Sequence, residues 1–270
     1  MACRLQSPTL PGTPFSHRGE ECRHVMSMLD GIKRLFARTG DTERDQAELA
    51  DWARSRQYSF RPVRGEEGGF VIEGRLGAQP WRLEWGPSQR PYIEGPELRL
   101  RAELGLPSDL QALVLDRTLQ ARLEKSVFDQ YVESVQTRID DQTPPEMRWL
   151  VMYAKLGGPE LGALRDRFAA VSQAKAWLTQ WLEGPLTAGL LAAPLVTGQP
   201  MVLMVSRGRL SLRTGLDEPQ PQDLDAWLQL FQQAMREARR AADAGSDPGH
   251  ASTQPSMFTA TRTPADDETT

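Results

Sequence analysis

The sequence predicts an α+β protein in which an antiparallel β-meander packs one apolar face against several helices, with disordered segments at both ends. Three observations predict it. Large apolar residues alternate with charged ones through 70–104, which is the two-residue period of a half-buried strand. Apolar stripes at helical spacing run through 117–139 and 223–242. Ser, Thr, Pro, Asp and Gly dominate 245–270 without either period.

The ends come first. Residues 1–25 carry no helical or strand period and no apolar signal-peptide core. They read either as a disordered extension or as residues ahead of a later start at Met26 or Met28, with the later start preferred. MLDGIKRLFAR then reads as a short amphipathic helix with Leu29, Ile32, Leu35 and Phe36 on one side. The expected domain covers 28–244, with a possible sub-boundary near 140–146, where Thr143-Pro144-Pro145 breaks the chain.

A helix is expected over about 43–57, capped by Asp41 or Thr42. The meander follows. Phe70, Ile72 and Leu76 share one strand face, as do Trp81, Leu83 and Trp85, and then Leu98, Leu100, Ala102 and Leu104. Gly77-Ala78-Gln79-Pro80 forms a hairpin turn, and 86–96 a longer Gly/Pro loop. LQALVL (110–115) lacks alternation and suits a strand buried on both faces. A helix covers 117–139 through Leu119, Leu123, Val127, Tyr131, Val135 and Ile139. MRWLVMY (147–153) reads as a strand, and Pro159–Glu183 as one long helix carrying Leu161, Leu164, Phe168, Val171, Leu178 and Leu182. MVLMV and RLSLR form a hairpin around Ser206-Arg207-Gly208, and a final helix runs from Asp223 to Ala242.

If the apolar sets face the core, the same strands put Glu73, Arg75, Arg82, Glu84, Arg99, Arg101 and Glu103 on the other face. Both signs alternate there. The set therefore reads as the exposed, wet side of a sheet rather than an arginine binding surface.

Composition excludes several kinds of chemistry. The chain has 270 residues, a formal net charge of −4 and 39% hydrophobic residues, so nothing in its balance favours nucleic acid or an anionic membrane. The cysteines are Cys3 and Cys22, and the histidines are His17, His24 and His250. From Met26 to Ala244 there is neither residue type, which removes thiol nucleophiles, Ser–His pairs and Cys/His zinc sites from that span. The absence of a disulfide framework suits a reducing cytoplasm. The 23 uncharged residues between Glu183 and Arg207 are long enough to span a bilayer. Gly184-Pro185 and Gly198-Gln199-Pro200 instead mark a helical segment, a turn and a buried strand.

Candidate sites are few. Lys155-Leu-Gly-Gly-Pro-Glu160 lacks P-loop spacing and reads as a turn with Pro opening a helix. Asp140-Asp141, with Glu133 and Glu146 near in sequence, reads as a turn signal rather than a cation site. No metal, cofactor or catalytic residue is assigned. The loop Trp85-Gly-Pro-Ser-Gln-Arg-Pro-Tyr92 concentrates the binding chemistry, with Trp85, Ser88, Gln89, Arg90 and Tyr92 as candidate ligand contacts.

WARSRQYSF, GFVIEGRLGAQPWRLEWGPSQRPYIEGPELRLRAELGL and VESVQTRIDDQTPPEMRWLVMY resemble uncharacterised bacterial proteins across about 45–155. The resemblance implies no activity and carries over no functional residue. The expectation is a non-catalytic binding or scaffolding protein of the bacterial cytoplasm, with its partner unassigned and a protein as the candidate. Two alternatives stand beside it. One is an enzyme with a His/Cys-free site on the Trp85–Tyr92 loop. The other is a membrane-peripheral protein docking through 28–38, where Lys33, Arg34 and Arg38 flank the apolar stripe.

Overall fold

The computed structural model describes residues 44–64, 68–133 and 143–245. The expectations for 1–25, the 28–38 helix, Asp140-Asp141 and the 246–270 segment lie outside the described residues.

Helix α1 (44–55) leads into strands β1 (Ser59–Pro62), β2 (Phe70–Leu76), β3 (Gln79–Pro87), β4 (Pro96–Glu103) and β5 (Ala112–Asp116). Helices α2 (Arg117–Glu133), α3 (Pro145–Met152) and the single turn α4 (Gly158–Leu161) follow, then β6 (Phe168–Ser172). Helices α5 (Lys175–Leu182) and α6 (Pro185–Ala192), strands β7 (Met201–Ser206) and β8 (Arg209–Gly215), and helix α7 (Pro221–Gly245) complete the fold. The eight strands of the described residues form one antiparallel sheet in the order β1-β2-β3-β4-β8-β7-β5-β6. The architecture is α+β, as expected. Strands from both sides of 140–146 share the sheet.

The meander has the expected phase. Leu83 lies opposite Ile72 and Leu100, and Trp81 opposite Gly74 and Ala102. These side chains join Leu203, Leu210 and Leu212 in a core covered by α1, α5, α6 and α7. Burying each such leucine contributes about 1.5–3 kcal/mol. Gly74 makes room in this layer: a Cβ there would overlap the Trp81 ring and lie 2.8 Å from the Tyr58 ring. Trp85 is only half-buried, stacked 5.5 Å from Phe70 with its indole N–H donating to the Leu216 carbonyl.

The second face divides in two. Under α2 and α3, Leu113, Leu115, Ala169, Val171, Val202 and Met204 form a second apolar layer with Met147, Trp149 and Leu150. β5 is therefore buried on both faces, as its uninterrupted apolar run predicted. Beyond β7 the helices stop, and the face becomes the charged surface of β8, β4, β3 and β2.

Two expectations are corrected. MRWLVMY lies in helix α3, not in a strand. Pro144-Pro145 followed by Glu146 is a helix start, with proline in the first turn and a carboxylate at the positive end of the helix dipole. Met147, Trp149 and Leu150 are buried at helical spacing. The single helix over 159–183 is instead α4, a 3₁₀ turn (Gly162–Leu164), β6 and α5. Every residue of β6 is buried, so it shows no alternation, and Leu161, Leu164, Phe168 and Val171 mimic a helical stripe. Strand β1 escaped the sequence reading because it is short, exposed and ends in proline, as edge strands do. The Lys155–Glu160 stretch is a turn as expected, with Glu160 accepting from the Gly157 N–H and Pro159 in the first turn of α4.

Candidate functional site

Strand period puts Glu97, Arg99 and Arg101 of β4 on the second face beside Arg209, Ser211 and Arg213 of β8 and Arg82 and Glu84 of β3. The register sets like charges opposite one another: Arg99 faces Arg213, and Arg82 faces Arg101. Each arginine pair is bridged by a glutamate. Glu97 accepts from Arg213 at 2.5 Å and from Arg99 at 3.3 Å. Glu84 takes Arg82 at 2.5 Å, Arg101 at 2.9 Å and Arg99 at 3.4 Å. Although burial pushes the Glu84 carboxyl up, the guanidinium groups of Arg101, Arg82 and Arg99 hold it below its ordinary value.

This face is not uniformly wet. Glu97 is fully buried, and the side chains of Arg99 and Glu84 are only 14% and 15% exposed. The expectation that Glu84 would be exposed is corrected. Three guanidinium groups converge on that one carboxylate and cover it.

The β3–β4 loop folds over the edge of the charged region. The Gln89 backbone N–H donates to Glu97 at 2.8 Å, and the Ser88 hydroxyl both donates to and accepts from the Arg90 backbone. Arg90 reaches the fully buried Glu146 at the start of α3, at 3.1 Å. Tyr92 is buried beneath α2 and α3, and burial, together with the adjacent Glu146 charge, pushes its hydroxyl well above the usual tyrosine range. The five candidate loop residues therefore take different places. Gln89 and Arg90 line a recess on the second face. Tyr92 packs behind it, and Trp85 and Ser88 border a separate pocket of about 440 Å³.

The recess holds about 500 Å³. Arg90, Arg99, Arg148 and Arg213 line it with half-buried side chains, and Arg101, Arg207 and Arg209 are exposed at its rim. Trp149 and Met204 form the apolar side, and Ser206, Ser211 and Gln111 add neutral polar groups. Seven guanidinium groups line the recess, and among the described residues four carboxylates pair with them, Glu84, Glu97, Glu103 and Glu146, so arginine outnumbers carboxylate there. Arg207 sits at the tip of the β7–β8 hairpin with φ of 52°, exposed and in no ion pair among the described residues.

Guanidinium groups stay charged and present forked donors to carboxylates and phosphates. Among the described residues, no group of three or more His, Cys, Asp or Glu side chains is placed to hold a metal, and no helix is long and apolar enough to cross a membrane.

Sequence reasoning missed Arg148, Arg207, Arg209 and Arg213 as parts of one site. A signal existed: Arg209, Ser211 and Arg213 alternate with leucines, so they share one strand face. Its meaning depends on β8 pairing with β4 across more than a hundred residues, which no local pattern announces.

No family model, no curated protein and no solved structure matches the chain.

Proposed function

We propose that the protein is a non-catalytic binding protein of the bacterial cytoplasm whose arginine-lined recess takes an acidic segment of a partner protein. The convergence of seven arginines on a 500 Å³ recess, in a chain of net charge −4, carries this reading. The excess positive charge is local and concave, and such sites focus anions. An acidic peptide suits the recess better than a nucleic acid, because Trp149 is buried and offers no face for a base to stack on. Ser206, Ser211 and Gln111 can bond a peptide backbone. A cytoplasmic setting suits a domain built without cysteine.

Fluorescence anisotropy with a fluorescein-labelled hexaglutamate peptide at low ionic strength tests the reading. The protein should bind the peptide, and binding should weaken as salt is raised. Arg101→Gln/Arg207→Gln/Arg209→Gln should weaken it at least tenfold, as expected when charge-assisted pairs are lost. Equal affinity in the variant, or tighter binding of a labelled oligothymidylate than of the peptide, would overturn the proposal.

A further inference from the structure

We propose that the recess takes its acidic segment in extended form along the β4–β8 seam, and selects carboxylates at every second position. This rests on the anion-binding reading above and names the charge pattern that the partner must carry.

The register carries the argument. On the second face, Glu103 lies opposite Arg209, Arg101 opposite Ser211, and Arg99 opposite Arg213. Each of these three rows offers a guanidinium on the seam, and all the arginines line the same recess. The next row is Glu97 against Gly215, so a buried carboxylate ends the column of cations. Helices α2 and α3 pack over β5, β6 and β7, and the seam lies beyond them.

Spacing then selects the ligand. Residues two apart on a strand share a face, so successive rows lie about 6.8 Å apart. An extended peptide has the same rise per residue. Its first, third and fifth side chains point one way and come level with all three rows. A helix returns a side chain to one face about every 5.4 Å, and falls roughly 3 Å short by the third row.

The arginines keep donors for a second carboxylate. Arg101 gives one terminal nitrogen to Glu84 at 2.9 Å, and Arg213 gives Nη1 to Glu97 at 2.5 Å. Arg209 holds Glu103 through Nε and Nη2. A guanidinium carries five N–H donors, so none of the three is exhausted by these bonds. Arg101 and Arg209 are also 48% and 52% exposed, open to an incoming chain.

The test compares three labelled peptides of identical composition by fluorescence anisotropy at low ionic strength. Glu-Ser-Glu-Ser-Glu-Ser has the strand period, Glu-Ser-Ser-Glu-Glu-Ser the helix period, and Glu-Glu-Glu-Ser-Ser-Ser a block of the same charge. The strand-period peptide should bind about fivefold tighter than either isomer, the gain of one further ion pair at an exposed rim. Arg209→Gln should remove that preference, because two rows then remain and the block peptide fills both with its first and third carboxylates. Equal affinities, or tighter binding of the helix-period or block peptide, would overturn the inference. So would a preference that survives Arg209→Gln in full. If hexaglutamate binds and the isomers do not differ, only the extended pattern fails. If hexaglutamate does not bind, the anion-binding reading fails and this inference falls with it.

Discussion

Arg99 and Arg213 stand directly opposite one another on β4 and β8, and one fully buried carboxylate, Glu97, bonds both. Like charges opposite one another destabilise a sheet. Here the carboxylate turns the pair into a fixed cationic wall with the Gln89 N–H pinned to it. Glu97→Gln keeps the shape and removes the charge, so it should lower the unfolding free energy by about 3–5 kcal/mol, the cost of breaking a buried ion pair from one side. Replacing Glu97 and both arginines together by Met should cost less than Glu97→Gln alone. Urea unfolding measures both. A loss under about 1 kcal/mol for Glu97→Gln would mean that water already neutralises the two arginines.

Leu83 and Arg82 are neighbours in β3 with opposite fates. Leu83 is fully buried in the helix-covered core, whereas Arg82 bonds Glu73 and Glu84 at the surface. Leu83→Ala should destabilise by about 2–5 kcal/mol through the cavity it leaves. Arg82→Ala should cost about 1 kcal/mol or less. Thermal unfolding of the two variants in parallel tests the strand phase, and similar losses would contradict it.

Gly74 has no room for a side chain between Trp81 and Tyr58. Gly74→Ala should therefore destabilise by about 1–3 kcal/mol, as overpacking does. Gly77, in the β2–β3 turn with nothing within 4 Å of its would-be Cβ, meets no such steric block. Its φ of 57° is the left-handed value that only glycine adopts freely, so Gly77→Asn should cost less than Gly77→Val. Calorimetry on the three variants separates crowding from backbone strain. A stable Gly74→Ala would show that the Trp81 ring can move aside.

Much of the fold was legible because one face of the meander is buried and the other is not. Trp81, Leu83, Leu98 and Leu100 alternate with charges, and the core took them. Legibility failed where burial removes the contrast. Phe168–Ser172 is covered on both faces, so its strand period vanished into a helical one. In MRWLVMY the apolar run outweighed the Pro-Glu helix start in the reading, although the start signal was the better guide. The site was legible only in pieces. Gln89 and Arg90 were flagged because they sit on a Gly/Pro loop. Arg99 and Arg101 were read as surface charges because their strand shows both signs. What joins them to Arg148, Arg207 and Arg213 is the insertion of the β7–β8 hairpin beside β4 and the stopping of α2 and α3 short of it. Both are long-range facts.

Glu84 gives the protein a pH signature. Its carboxyl sits below its ordinary value in the folded state, because Arg101, Arg82 and Arg99 outweigh burial. A carboxyl depressed on folding stabilises the native state wherever the unfolded chain's carboxyl is also ionised, and the contribution is lost as pH falls through the folded value. The stabilisation from Glu84 should therefore be complete at neutral pH and fade in the acid region below the ordinary glutamate value of 4.5. Asp116 has the opposite sign. Burial pushes it above its ordinary 3.8, against two N–H donors, Leu119 at 2.8 Å and Met201 at 2.9 Å. Its folded state holds the proton more tightly than the unfolded chain, so its contribution declines as pH rises above 3.8. Glu84→Gln should cost about 1–2 kcal/mol at pH 7, between an exposed pair and a buried one, and progressively less as pH is lowered through the acid range. Asp116→Asn should cost about 1–3 kcal/mol, because an amide cannot accept from both N–H groups and leaves one buried donor unpaired. Its penalty should not shrink with rising pH as fully as that of Glu84→Gln shrinks with falling pH, since the unpaired donor remains at every pH. Urea midpoints from pH 3 to pH 7 distinguish the two. A Glu84→Gln penalty that stays constant across that range would show that the arginines do not depend on Glu84 for neutralisation.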